Sequence, residues 1–348
     1  LIVKIKIRRT TDKSLIVLLL FQMVFTSLLF LPKFSESQDA MFSQFYSNPL
    51  YLNPALAGTD DCARLMFNYR NQWPSLDNNF TTYSASADRY FKALSGGLGL
   101  MMISDNIGKG IMNTTRISAI YSVHIKLSSE LNLNAGLEAT FHQQKLKYEE
   151  LIFRDMIDPS TGNINSGSSA EIPIDNSTVS VPDFASGLVL GISEKYFIGF
   201  AAHHIAQPAL EFYANSKENL LYRKYTIHAG AKFDLGGGGY NPNENNFVLS
   251  PNILYQYQQA AQQLNVGVYL ERKPLVAGIW YRYNVQNSDG VILLLGLSLN
   301  RIRVGYSYDV TLSKLKGTTG GAHELSLTLL VNCNKKRNKP GAIKCPEF

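Results

Sequence analysis

The chain has 348 residues, with 33 basic and 27 acidic side chains and a formal net charge of +6. The excess sits at the amino end. Residues 1–37 hold six basic and two acidic groups, leaving 27 against 25 for the rest, so charge gives no indication of nucleic-acid binding.

Lys4, Lys6, Arg8, Arg9 and Lys13 form a basic start, followed by the apolar run from Leu15 to Leu31 and then Ser35, Glu36 and Ser37. Small residues at −3 and −1 mark residues 1–37 as a signal peptide cleaved before Gln38. No later apolar run approaches the ~20 residues of a spanning helix. An exported chain of this kind can enter a membrane only as a closed barrel.

Residues 38–61 read as a turn-rich, plug-like segment. Phe42-Ser43-Gln44-Phe45-Tyr46-Ser47-Asn48-Pro49-Leu50-Tyr51-Leu52-Asn53-Pro54-Ala55-Leu56-Ala57-Gly58 carries two Asn-Pro turn initiators with aromatic residues between them. Each proline removes a donor and restricts its predecessor, which excludes a continuous helix or a central strand. So many large apolar side chains suit a segment packed under or within a barrel mouth rather than a bare linker.

Residues 62–333 then read as an all-β, transmembrane antiparallel barrel of about 14 strands. The expected strands are Ala63–Trp73, Phe80–Phe91, Ser95–Asp105, Thr114–Leu127, Leu131–Gln144, Pro182–Ser193, Lys195–Ala206, Leu221–Leu235, Phe247–Gln258, Gln262–Arg272, Leu275–Val285, Val291–Leu299, Arg301–Leu312 and His323–Cys333. Most reach the about 9 to 11 residues that a tilted membrane strand needs, against about 5 to 6 in soluble sheets. Apolar residues alternate with small or polar ones. Ile302, Val304, Tyr306, Tyr308 and Val310 would face lipid, and Arg303, Gly305, Ser307 and Asp309 would face inward. A soluble sandwich alternates too. The connections alternate short and long as a barrel requires, except the long Gly236–Asn246, which falls at the short-turn end. Tyr83, Tyr90, Phe91, Tyr121, Tyr196, Phe197, Tyr281 and Tyr283 are expected at interfacial girdles.

Inside, Asn68, Arg70, Gln72, Arg116, His124, Glu138, His142, Lys224, His228, Lys232, Arg282 and Glu324 should face one another. Mixed signs in a low-dielectric cylinder imply paired networks rather than a wide pore. His203 and His204 would point to opposite faces of a strand. His323-Glu324 lacks the second histidine of a zinc-protease helix, and the glycines from Gly236 lack the lysine and hydroxyl of a phosphate loop, so neither enzyme chemistry nor a cofactor or metal is expected. Residues 334–348 form a basic tail. Cys62 and Cys333 would meet where the barrel closes, while Cys345 lies close to Cys333 in sequence; the short loop favours Cys333 with Cys345, and Cys62 with Cys333 is the alternative.

Three patterns occur in order: Phe42, Ser43, Gln44, Phe45, Asn48, Pro49, Asn53, Pro54, Ala55 and Gly58; then Tyr69, Arg70, Gln72 and Trp73; then Tyr306, Tyr308 and Asp309 with Leu312-Ser313-Lys314-Leu315, His323 and Glu324. Together they resemble the PorP/SprF family of the Bacteroidetes type IX secretion system. That resemblance implies an outer-membrane barrel working with the type IX machinery, in contact with outer-membrane lipid and lipopolysaccharide. Some relatives pair with a large adhesin bearing a carboxy-terminal secretion domain and serve its export, attachment or gliding. Another is a core component facing the periplasm. The adhesin-partner role is the expectation here, with the long loops docking the adhesin and the amino segment closing the periplasmic mouth. A fatty-acid-type transporter, which would show an apolar internal pocket and a strand kink, and a structural protein contacting peptidoglycan are the alternatives.

Overall fold

The computed structural model describes residues 39–164, 177–212, 219–236, 246–284, 288–312 and 319–333. The expected signal peptide, the basic tail with Cys345 and most of the Gly236–Asn246 connection lie outside these residues. Alternation drives the fold. Residues with period-2 patterning form long antiparallel strands: β1 (Ala63–Gln72), β2 (Phe80–Phe91), β3 (Gly96–Ile107), β4 (Met112–Lys126), β5 (Leu131–Leu146), β6 (Thr178–Ile192), β7 (Tyr196–His203), β8 (Lys224–Ala231), β9 (Phe233–Asp234), β10 (Val248–Gln258), β11 (Ala261–Arg272), β12 (Leu275–Asn284), β13 (Ser288–Ser298), β14 (Ile302–Thr311) and β15 (Ala322–Val331).

β8 and β9 both pair with β10 and are two pieces of one wall strand interrupted at Lys232, so the fifteen segments make fourteen staves. Sequential neighbours pair, β10 pairs with β11, and β15 pairs with β1, which closes the ring and leaves no edge. The Gly236–Asn246 connection joins β9 to β10 at the turn end, so the strand count is even and that connection is an exception to short turns.

Burial follows the alternation. Leu293, Leu295 and Leu297 face outward, Leu295 being 68% exposed, while Ile292 and Leu294 are buried inside. The twelve polar residues expected inside are buried, apart from half-buried Gln72. Two girdle residues are corrected: Tyr90 and Phe197 point into the lumen, where Tyr90 packs on His124 and Phe197 on Tyr46. They share the parity of Asp88 and Gly199, and their neighbours Phe91 and Tyr196 take the lipid side. His203 and His204 are also corrected, since both are buried. β7 ends at His203, and the left-handed backbone of His204, φ 55°, turns its ring back over the mouth.

The disulfide joins Cys62 to Cys333, Cα atoms 4.3 Å apart, and not Cys333 to Cys345. The register that places Ala63 opposite Val331 at the closing seam brings the two cysteines together at the turn end.

Two outcomes follow. Leu295→Arg should cost about 2–4 kcal/mol in refolding into bilayers, and Ser298→Arg, at the inward turn end, about 1 kcal/mol or less; equal costs would contradict the inside–outside assignment. Non-reducing peptide mapping should recover a Cys62–Cys333 linked pair, and a Cys333–Cys345 pair would contradict the seam register.

Candidate functional site: the plugged lumen

The amino segment lies inside the barrel. Prolines shape its course: Phe45–Ser47 is a 3-10 turn, Pro49–Leu52 one helical turn, and Pro54–Leu56 a second 3-10 turn with Asn53 Oδ1 accepting from the Ala55 N–H at 2.9 Å. Both prolines sit where a helical turn begins and no amide donor is lost. Asp39 lies beside Lys224 and His204 at the loop end, and Gly58 beside Asp88 toward the turn end. The segment thus traverses the lumen and does not merely close one mouth.

Its first fixed point is an ion network. The Ser43 and Gln44 amides donate to Glu324 Oε2 and Oε1 at 2.6 and 3.1 Å, and Gln44 Nε2 donates to the Glu324 carbonyl at 2.9 Å. Ser43 Oγ donates to Asp309 Oδ2 at 2.6 Å. Arg70 bridges Asp309 at 2.9 Å and Glu324 at 3.2 Å, while Arg282 reaches Asp309 at 3.0 Å and Ser43 Oγ at 2.9 Å. Two cations and two anions are buried together, and charge-assisted bonds hold the plug backbone to them. The three sequence patterns therefore meet in one contact.

The Asn53-Pro54-Ala55 turn docks on bare backbone. A Cβ on Gly136 would stand 2.3 Å from the Ala55 nitrogen, and one on Gly97 2.1 Å from the Ala57 oxygen, so only glycine admits the segment there. Asn53 Nδ2 donates to the carbonyls of Leu188 and Phe200 at 3.2 and 3.1 Å. Ser122 donates to the Ala55 carbonyl at 3.0 Å and His124 Nε2 to that of Ala57 at 2.9 Å. Below, the Gly58 amide donates to Asp88, which Arg64 holds at 2.8 and 2.6 Å.

The opposite wall is apolar. Phe45 meets Trp280 edge-on at 5.1 Å, Tyr46 meets Phe197 at 5.9 Å, and Leu52 and Leu56 join Leu254, Tyr269, Ile292 and Leu294. Each such side chain contributes about 1.5–3 kcal/mol by transfer from water. Alternation failed to reveal this half because β7, β12 and β13 carry apolar residues on both faces.

At the loop end, Asp39 Oδ2 receives His204 Nε2 at 2.8 Å, Lys224 Nζ at 3.0 Å and Arg116 at 3.8 Å, and His204 Nδ1 faces Asp183 at 2.6 Å. Burial alone would push the Asp39 carboxyl up, but His204, Lys224 and Arg116 hold it well below the usual carboxylate range. Burial disfavours the charge on His204, yet the two carboxylates prevail and raise its pKa. Sequence reasoning placed Lys224 and Arg116 inside but missed Asp39, Asp183 and His204 as their partners.

Other residues of the three patterns lie elsewhere. Tyr69 packs on Tyr83 at 5.2 Å on the outer face, and Trp73, beyond β1, packs on Phe80 at 5.2 Å. Tyr306 and Tyr308 are on the lipid side with His323, whose Nδ1 lies 2.8 Å from the Tyr306 hydroxyl. Among the described residues, no group of three or more His, Cys, Asp or Glu could hold a metal ion.

The family model described as type IX secretion system membrane protein PorP/SprF matches residues 34–329. A search of curated proteins finds no match. The toluene transporter TbuX of Ralstonia pickettii is similar in structure at TM-score 0.50 and 9% identity, over 81% of this chain and 93% of that one. A FadL homologue of Pseudomonas aeruginosa is similar at TM-score 0.39 and 14% identity, over 81% and 93%. Omp33 of Acinetobacter baumannii gives TM-score 0.43 and 8% identity, over 77% and 97%. The likeness to TbuX concerns the fold alone.

Arg70→Met leaves Asp309 and Glu324 to share Arg282. It should destabilise the barrel by about 3–5 kcal/mol, the cost of breaking a buried pair, seen as unfolding at lower temperature in heat-modifiability gels; an unchanged transition would contradict the network's role.

Proposed function

Because the chain belongs to the type IX secretion system membrane protein PorP/SprF family, we propose that this outer-membrane barrel is the docking partner through which one large adhesin is exported and held at the cell surface. The observation that carries this reading is the occupied lumen. A wall whose interior is filled from Asp39 to Gly58 has no path for a folded protein, so the barrel serves as a dock while another part of the machinery provides the conduit.

The carboxy-terminal domain of the adhesin would meet the external loops. In the connection after β5, Tyr148, Ile152, Ile157 and Ile164 are exposed although they lie beyond the strand ends. Apolar side chains presented to water rather than lipid favour a protein contact. The loop segments 165–176 and 213–218, also expected to dock, lie outside the described residues. The outer wall would contact lipid and lipopolysaccharide, and the turn end the periplasmic machinery.

The transporter alternative draws on the interruption of the wall at Lys232, between β8 and β9. Its apolar internal pocket is not matched by the cavity beside the plug, which has a volume of only about 40 Å³ and is shared between plug side chains such as Phe42, Phe45 and Leu52 and the wall amides Gln256, Gln258, Gln262 and Gln263. The apolar lumen residues of the core cluster pack on Phe45, Tyr46, Leu52 and Leu56 instead.

Deleting the chain should abolish surface display of one large adhesin, measured by whole-cell labelling, while other type IX cargo is still secreted. Loss of all cargo would make the protein a core component, and intact cargo with reduced uptake of a hydrophobic solute would favour transport.

A further inference from the structure

We propose that the outer wall carries a binding site for one anionic phospholipid of the periplasmic leaflet, formed at the turn end of β11 to β14. The first observation is a gap in the lipid-facing wall. On the outer face the register aligns Leu270, Ala277, Leu295 and Tyr306 across the four strands, and, one row nearer the turns, Arg272, Leu275, Leu297 and Val304. Ala277 is the one small side chain of these two rows. Leu275 and Leu295, 63% and 68% exposed, stand beside it, and the gap opens into a groove with a volume of about 850 Å³. In the next row away from the turns Ile279 and Leu293 are large again. Ligand pockets span about 300–1,000 Å³, and walls of leucine and valine suit an acyl chain rather than a polar solute.

The second observation is a fixed cation at the mouth of the groove. Arg272 ends β11, and its guanidinium lies over the Phe247 ring, 4.8 Å from the centroid. A guanidinium held by its face keeps its in-plane N–H donors for the paired oxygens of a phosphate. Lys273 also lines the groove. Arg301 is exposed in the neighbouring turn, which lies against this one through the Ser298 N–H donating to the Pro274 carbonyl at 2.7 Å. Among the described residues no carboxylate lines the groove. Glu271 stands in register with buried Val248 and Val276 and so shares the lumen face.

Height in the membrane decides the ligand. With the turn end toward the periplasm, the orientation on which this inference rests, the head groups at Arg272 are those of the periplasmic leaflet, which in an outer membrane is phospholipid. Rows on one face of a strand are about 7 Å apart, so a phosphate held by Arg272 sets the start of its acyl chain over Ala277. An arginine at a strand end reaches head groups without any groove, and a gap beside alanine fills with hydrocarbon without any cation. Here the two adjoin, and a basic edge above an apolar groove attracts a lipid of net negative charge over a zwitterionic one.

Native mass spectrometry of the full chain in detergent tests this, with phosphatidylglycerol, dioleoylglycerol, lipopolysaccharide and inorganic phosphate as separate probes. One phosphatidylglycerol should be retained at saturation, and none of the other three. Arg272→Gln combined with Lys273→Gln should weaken that binding by about tenfold or more, the loss of charge-assisted bonds to phosphate. Ala277→Leu, which fills the groove and leaves every charge in place, should weaken it as much, and heat-modifiability gels show that both variants are folded. Failure to retain phosphatidylglycerol, or retention of several molecules that neither variant changes, would overturn the proposal, the latter leaving only boundary lipid. Weakening by one variant alone would overturn it, since headgroup and chain would not share a site. Equal retention of dioleoylglycerol would remove the headgroup from recognition, and preference for lipopolysaccharide would place this end of the wall in the outer leaflet; either would overturn it as well.

Discussion

Buried charge is the constraint on which the structure depends. Arg70, Arg282, Asp309 and Glu324 project from strands on both sides of the seam into a cylinder whose outer face is lipid-directed. Ions so placed are tolerated only when paired and hydrogen-bonded. The strands supply the pairs, but Glu324 also needs donors for both carboxylate oxygens, and the Ser43 and Gln44 amides provide them. The plug is therefore part of the interior of the barrel, and the empty cylinder would hold a cluster with unmet acceptors. Glycines at the opposite wall let the Asn53-Pro54-Ala55 turn approach the β5 backbone, so polarity and shape select the same seat.

Much of this was legible because period-2 alternation is a local signal. It set the staves, their facing and the polar lumen, and it gave Asp309 and Glu324 their inward direction. Where it was misread, the parity was still present: Tyr90 follows Asp88 by two and Phe197 precedes Gly199 by two, so both belong to the inner face. Other features are non-local. The choice of Cys62 over Cys345 depends on the register of β1 against β15, which spans the whole chain. The interruption of β8 at Lys232 and the turn at His204 arise where backbone leaves the ladder, with no residue pattern that marks them.

The amino segment shows the division most clearly. Its prolines and aromatics announced a packed, turned segment, and the resemblance joined it to the first strand and last hairpin. Residue identity alone gave no direction through the lumen. That direction comes from where its partners stand: Asp39 among residues at the loop ends of β4, β7 and β8, and Gly58 beside Asp88 near the turn end of β2. A plug anchored at both ends and midway resists displacement, which fits a dock more than a gate.

Amide hydrogen exchange on the folded protein in detergent, followed by mass spectrometry across residues 39–58, tests the central claim most directly. If these residues are an integral part of the barrel interior, the Ser43, Gln44 and Gly58 amides should exchange as slowly as those of β1 and β15. Exchange of the segment within seconds, with the strands still protected, would contradict it.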